Sequence, residues 1–408
     1  MRALQIAATG MSAQQTRVEV ISNNLANMST TGYNPRRAEF ADLFSATSYG
    51  LSKNAVGSGV RLSNVAQQFS QGNIDPTGRS LDMAIDGEGF FTLNKNGMQL
   101  YSRAGNFQTD ANGFVGTPDG ARLQVYPPRV DGNGFDTGRV TDLQLLTTDS
   151  PPKQSSLVNL MFTLPGNAQL PTTPTFDPAE PNSYNASTGG ITVFDSLGVS
   201  HVQTSYFVKT PGANAWEMHN YVDGVRVGDP VTLQFSDNGA LLAPANGRVT
   251  LDPYTPSTGA GVLSLDLDLT GSTQYGEKFA LRDVRQDGYA AGKLNEISIA
   301  ADGVVFARYS NGADQPLGQI ALTTFVNPQG LQPQGNNLWA GSHVSGSPRT
   351  GAPGSSDFGQ IQAGALESST VDLTEQLVNM IVAQRNFQAN AQMISTQDQV
   401  TQTVINIR

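Results

Sequence analysis

Apolar residues recur at every seventh position at both ends of the chain. Leu4, Met11, Val18 and Leu25 are spaced in this way, with Ala7, Ile21 and Met28 on the intervening register, which predicts an amphipathic helix with a narrow seam over residues 1 to about 28. Gly32 and Pro35 follow and stop it. Thr370 to Arg408 repeats the pattern, with Leu373, Met380, Phe387 and Ile394 seven apart and Leu377, Ala391 and Ile405 on the second register. The other faces of both helices carry Gln, Asn, Ser and Thr in place of the Glu/Lys pairs that flank a free-standing coiled coil. Such faces are read as surfaces for protein contact.

Between the helices the pattern changes to short alternating runs separated by turn dipeptides. Asn96-Gly97, Asn112-Gly113, Asp223-Gly224, Asn238-Gly239 and Asp302-Gly303 predict type I′ β-hairpins, whose two central residues both take positive φ. Leu263, Leu265, Leu267 and Leu269 alternate with Ser264, Asp266, Asp268 and Thr270, so one face of that run is apolar and the other is solvated. Pro/Gly-rich stretches at 126–138 and 150–152, and a turn-rich stretch at 270–292, bracket a separate block. The expected fold is therefore mainly β with N- and C-terminal α-helices: paired coiled-coil-like terminal helices plus two nested β-domains, the second inserted in the first. The expected division is a terminal helical domain (1–32 and 364–408), an extended connector (33–72), a first β-domain (73–148 and 285–358) and an inserted β-domain (149–284).

Composition narrows the function. A chain of 408 residues with 38% hydrophobic content can bury real cores, and 43 Gly with 22 Pro fit turn-rich β-structure. With 24 Lys+Arg against 34 Asp+Glu and no basic cluster, binding to a nucleic-acid backbone or an anionic membrane surface is disfavoured. The absence of Cys removes disulfides, thiolate metal sites and Cys nucleophiles. No run of apolar residues is long enough to span a membrane, and the first twenty residues lack the apolar core of a signal peptide, so no membrane insertion and no cleaved leader are expected.

Candidate catalytic and metal-binding groups are few and poorly spaced. His201, His219 and His343 show no metal-ligand spacing. Ser150-Pro-Pro-Lys153 matches S-x-x-K in letters, but two prolines forbid the helix that would bring Lys back to Ser. Asp131-Gly-Asn133-Gly, with Asp142 at the twelfth place, resembles a calcium loop but has Asp136 where the sixth-position glycine belongs. Asp266 and Asp268 could suggest glycoside hydrolysis, although carboxylates on an exposed strand face also guard against edge pairing. No catalytic residue, cofactor or metal is expected.

The terminal helices carry about ten seam residues, worth roughly 1.5 to 3 kcal/mol each when fully buried, against an ordering cost of about 1 to 2 kcal/mol per residue. The pair alone is marginal, so both segments are expected to be mobile in the monomer and to order on assembly.

Asn23-Asn24-Leu25-Ala26-Asn27, followed by Thr30-Thr31-Gly32-Tyr33, resembles the signature after the first helix of bacterial flagellar rod and hook proteins. GNIDPTGRSLDMAIDGEGFF from Gly72 and YSRAGNFQTDANGFV from Tyr101 resemble the start of their first β-domain. GQIALTTFVNPQGLQPQGNNLW from Gly318 and the stretch from Gly364 to Gln399 are similar to their carboxyl half. The inserted block, including GGITVFDSLGVSHVQTSYFVKT from Gly189, resembles the hook branch, while the segment 44–63 is longer than its counterpart in many hooks.

The resemblance implies a structural, non-enzymatic homopolymer at the bacterial cell exterior. Subunits would leave through the flagellar type III export apparatus and stack into a tube with the helices innermost, acting as a universal joint. It would meet a distal rod protein, a hook cap and a hook-filament junction protein. The implied assembly core is Leu4, Met11, Val18, Ile21, Leu25, Leu373, Leu377, Met380, Phe387 and Ile394, and the implied family motif is Asn23, Asn24, Ala26, Asn27, Gly32 and Tyr33. A distal rod subunit, a secreted β-rich glycan hydrolase and a carbohydrate-binding module stand as alternatives.

Overall fold

A computed structural model describes residues 2–43, 57–129, 134–145 and 149–406. Two helices frame a β-rich chain: α1 (Arg2–Ala26) and α2 (Leu373–Asn406). The Asp372 carboxylate accepts the Glu375 amide at 2.9 Å and so caps the start of α2. Most of the segment 44–63, and Asp131 and Asn133 of the calcium-like loop, lie outside the described residues.

Two compact units follow from the chain path. The first comprises residues 1–146, 296–307 and 315–408. It holds both helices, an antiparallel hairpin of β1 (Arg36–Leu43) and β2 (Gly59–Gln67), and a larger sheet. In that sheet Phe90–Lys95 lies between Met98–Ser102 and Arg122–Tyr126, with Leu93 opposite both Leu100 and Leu123. Phe91, Phe107, Leu123, Ile320 and Leu322 fill the core beneath it. An adjoining aromatic cluster, Phe90, Tyr101, Phe325 and Trp339 with Phe69 against it, packs edge to face.

The second unit comprises residues 147–295 and 308–314. Ser200–Lys209 and Ala215–Val222 form its longest antiparallel pair. Leu157–Pro165 is paired in parallel with Asp266–Asp268 and Thr273–Tyr275, and antiparallel with Ala280–Gln286. Phe162, Phe207, Trp216 and the four alternating leucines 263, 265, 267 and 269 are buried together in one core. The leucine alternation read from the sequence thus has its apolar face inward.

The turns need one correction. Asn96-Gly97 and Asp223-Gly224 have positive φ at both residues, as type I′ turns require. At Asn112-Gly113, Asn238-Gly239 and Asp302-Gly303 only the glycine does. In each of these a four-residue turn closes one residue earlier: Gly113 N–H donates to Asp110 O, Gly239 to Ser236 O and Gly303 to Ala300 O. The Asp110 carboxylate takes the amides of Asn112 and Phe114, so a side chain holds the preceding residue in the right-handed region.

Candidate assembly surface

The helix pair sets the site. α1 is contacted both by α2 and by the β1–β2 hairpin, and small residues permit the approach. Ala7 and Ala13 of α1 and Ala383 of α2 are buried, and a Cβ added at Gly10 would stand 3.1 Å from the Asn390 side chain. On the hairpin side the Thr9 hydroxyl accepts the Val60 amide at 3.3 Å. Ile21 is buried, while Leu4, Met11, Val18 and Leu25 are half-buried because a helix of 3.6 residues per turn shares its seam between two neighbours.

On α2 the seam departs from the heptad reading at Leu373, Leu377 and Ile405. Gln376, Met380, Ala383, Phe387, Asn390 and Ile394 take the more buried positions, three or four apart. Leu373 and Leu377 instead are about two-fifths exposed. Leu377 aligns with Ile381, and Val378 with Val382, so the single chain leaves an apolar stripe open beside the seam. Met393, Val400 and Ile405 continue the exposed apolar surface toward the end of the helix.

Where α1 ends, buried polar residues tie three segments together. Asn24 donates from Nδ2 to Arg36 O at 2.8 Å and to Gln376 Oε1 at 3.3 Å, and its Oδ1 accepts Arg36 N–H at 2.9 Å. One side chain thus links α1, β1 and α2. Tyr33 hydroxyl lies 2.9 Å from Asn23 Oδ1 and 3.2 Å from Asn24 Oδ1, and burial pushes the phenol's pKa up against the opposing charge of Arg36. Asn27 donates to Asn23 O and accepts from Thr30. Ala26 is exposed at the last turn of α1.

Gly32 has φ of 62°, and a Cβ there would lie 2.7 Å from the Ala104 backbone nitrogen. Only glycine fits. Its amide donates to Glu367 O at 2.8 Å. Glu367, buried, pairs with Arg103 at 3.0 Å and accepts the Gly72 amide at 2.8 Å, while Arg103 donates to the carbonyls of Gly87 and Gly89. This ion pair anchors the segment leading into α2 to the β-structure of the first unit. Periodicity could not single it out, since a buried pair gives no repeating signal; an Arg and a Glu set among Gly, Ala and Ser were the available hint.

Apart from the exposed Asp266 and His343, the groups with possible chemistry are tied to neighbouring residues of the fold. Lys153 pairs with Asp287 at 3.1 Å, and Ser150 donates to Pro151 O. Asp287 also caps the start of a strand: burial pushes its carboxyl up, but the amides of Leu157 and Ser156, the Ser156 hydroxyl and Lys153 outweigh this and hold it well below the usual range. Asp266 is exposed and Asp268 meets Arg248 at 3.4 Å; Asp142 pairs with Arg122 at 3.1 Å. His343 is exposed, and His219 is buried with its ring stacked on Phe176 at 4.0 Å. His201 lies between two carboxylates, Nδ1 2.6 Å from Asp223 and Nε2 3.2 Å from Asp195. Among the described residues no group of three or more His, Asp or Glu side chains is placed to hold a metal ion.

Four family models match in chain order. They are the flagella basal body rod protein (4–34), the flagellar hook protein FlgE/F/G D1 domain (84–168), the flagellar basal body protein FlaE D2 domain (163–289) and the flagellar basal body rod FlgEFG protein C-terminal region (362–407). The flagellar hook protein FlgE of Salmonella typhimurium is 38% identical over 98% of this chain and 99% of its own length. The chain belongs to the flagellar hook protein FlgE family. A FlgE of Borreliella burgdorferi is 31% identical over the full length of both chains. Among solved structures, Helicobacter pylori FlgE2 shares the fold at a TM-score of 0.55 and 18% identity, covering 72% of this chain and all of that one. In this FlgE-family chain the rod-protein match at 4–34 takes in α1 and the junction from Asn23 to Tyr33, and the C-terminal match at 362–407 takes in Glu367 and α2.

Proposed function

We propose that the chain is the repeating subunit of a bacterial flagellar hook, polymerising outside the cell into a helical tube that passes torque from rod to filament as a flexible universal joint. The observation that carries the proposal is the apolar stripe on α2. Leu373, Leu377, Val378, Ile381 and Val382 are exposed although the neighbouring face of the same helix is occupied by α1. A contiguous apolar patch of this kind marks a contact surface, and in a polymer neighbouring copies cover it. Leu4, Met11, Val18, Ile21, Leu25, Met380, Phe387 and Ile394 hold the helix pair together, while Leu373 and Leu377 reach outward to other copies.

The working division assigns 1–32 and 364–408 to the tube's inner core, 33–72 to a connector, 73–148 and 285–358 to a first β-domain and 149–284 to an outer domain. No catalytic role is assigned to any residue. The partners at the two ends of the polymer are a distal rod protein and a hook-filament junction protein, with a cap during growth and the type III export apparatus as the route out. Electron microscopy of the purified chain after induced assembly tests the reading: tubes support it. A chain that stays monomeric, or that turns over a polysaccharide in an Asp266-dependent way, would replace it.

A further inference from the structure

α1, β1 and the first two turns of α2 line a surface cleft of about 260 Å³. Arg17, Arg36 and Arg37 line it, with Glu375 as the one carboxylate on its wall and Ile21 and Phe40 as apolar flanks. Among the described residues Arg17 and Arg36 form no ion pair. The Arg36 side chain donates to the neutral Gln67 at 3.1 Å, and Arg37 meets Glu39 of its own strand at 3.3 Å in solvent. With Glu39 counted beside Arg37, three arginines stand against two carboxylates at the cleft, a local excess of positive charge on a chain whose net charge is −10. The cleft also opens beside the first exposed residues of the α2 stripe, since Glu375, Gln376 and Asn379 line it while Leu377 and Val378 are exposed.

We propose that this cleft is the docking site for a carboxylate-bearing segment of a second copy of the chain, and that the contact sets the register between neighbouring subunits. The proposal rests on the polymer-subunit reading and names its contact chemistry. A helical polymer requires heterologous contacts, in which one patch meets a different patch of the next copy. The chain supplies carboxylates for the other side: Asp75, Asp86 and Glu88 of the first unit are exposed and, among the described residues, form no ion pair. Guanidinium forks favour carboxylates over other acceptors because two parallel hydrogen bonds can form. Opposite charge at a contact fixes register and speeds encounter more than it adds affinity.

The test uses the full chain. The R17Q/R37Q variant should raise the threshold concentration for assembly at least tenfold at low salt, about 0.05 M, and the gap should close as salt screens the contact. In parallel, the charge-preserving R17K/R37K variant is assembled from a mixture of isotope-labelled and unlabelled chains and treated with a carbodiimide. This joins an amine to a carboxylate as an amide while the carbodiimide takes up the water. Links from position 17 or 37 to a carboxylate of a differently labelled chain support the proposal. Failure of R17K/R37K to assemble, with its monomer melting unchanged, also supports it, because lysine lacks the bidentate fork. Equal thresholds for R17Q/R37Q and wild type, or links only to Glu375 and Glu39 of the same chain, overturn it while the polymer stands. A wild-type chain that forms no polymer removes the subunit reading and this contact together.

Discussion

Replacing His201 with alanine should destabilise the second unit by about 3 kcal/mol. His201 is 4% exposed and both ring nitrogens face carboxylates, which requires both to carry protons. Burial pushes the imidazole down, but the hydrogen bonds and charges of Asp223 and Asp195 outweigh it and raise its pKa above the usual 6.5. Asp195 is fully buried; burial pushes it up, yet the Thr258 hydroxyl, the Val199 amide, His201 and the Leu197 amide hold it at about 2. Tyr254 also donates to Asp223, at 3.3 Å.

Removing one partner of a buried ion pair costs about 3 to 5 kcal/mol. The lower end applies here because Asp195 keeps its bonds from Thr258, Leu197 and Val199. For a unit of this size about 3 kcal/mol lowers Tm by roughly 6 to 12 °C. The sign with pH follows from the raised imidazole: the stabilisation is complete below about 6.5 and fades as pH climbs through the folded value. Asp195 adds the acid limit, its contribution fading as pH falls toward 2. Calorimetry of the full chain at pH 6 and pH 9, with NMR titration of the His201 ring, measures both effects. A variant melting within 2 °C of wild type at pH 6, or a ring titrating below 6.5, would refute the clamp.

Leu377→Asp should leave monomer melting within about 0.5 kcal/mol, since the residue is 43% exposed, yet block assembly as judged by sedimentation. Glu367→Gln should cost about 3 kcal/mol in the first unit by leaving Arg103 buried without its partner, read as a lower denaturation midpoint of the full chain. Deleting 149–284 with a short flexible linker should still permit tubes of altered curvature in electron micrographs, because the core contacts lie in the helices. Protease should trim both termini of the monomer to a β-rich core that no longer polymerises, whereas a trimmed core that assembles normally would remove the helices from the core role.

Local pattern determined what short-range physics controls. The heptad spacing of Leu4 to Leu25 and Leu373 to Ile394 marked both helices, because a 3.6-residue period writes itself into consecutive turns. The alternation from Leu263 to Thr270 marked a buried strand face for the same kind of reason. The motif from Asn23 to Tyr33 and the mainly β architecture were likewise legible. Tertiary structure decided the rest. Parallel pairing of Leu157–Pro165 with Asp266–Asp268 joins residues over a hundred positions apart, and no dipeptide announces such a crossover. Which flank of α2 faces α1 was set by close approach at Ala383 and Gly10, which moved Gln376 into the seam and left Leu373 and Leu377 outside it. The Arg103–Glu367 pair arises where distant segments converge, and the Asp195–His201–Asp223 clamp closes only when the neighbouring antiparallel strands of 191–223 pair. Charges from different parts of the chain acquire their pairing energy only once folding has removed the water between them.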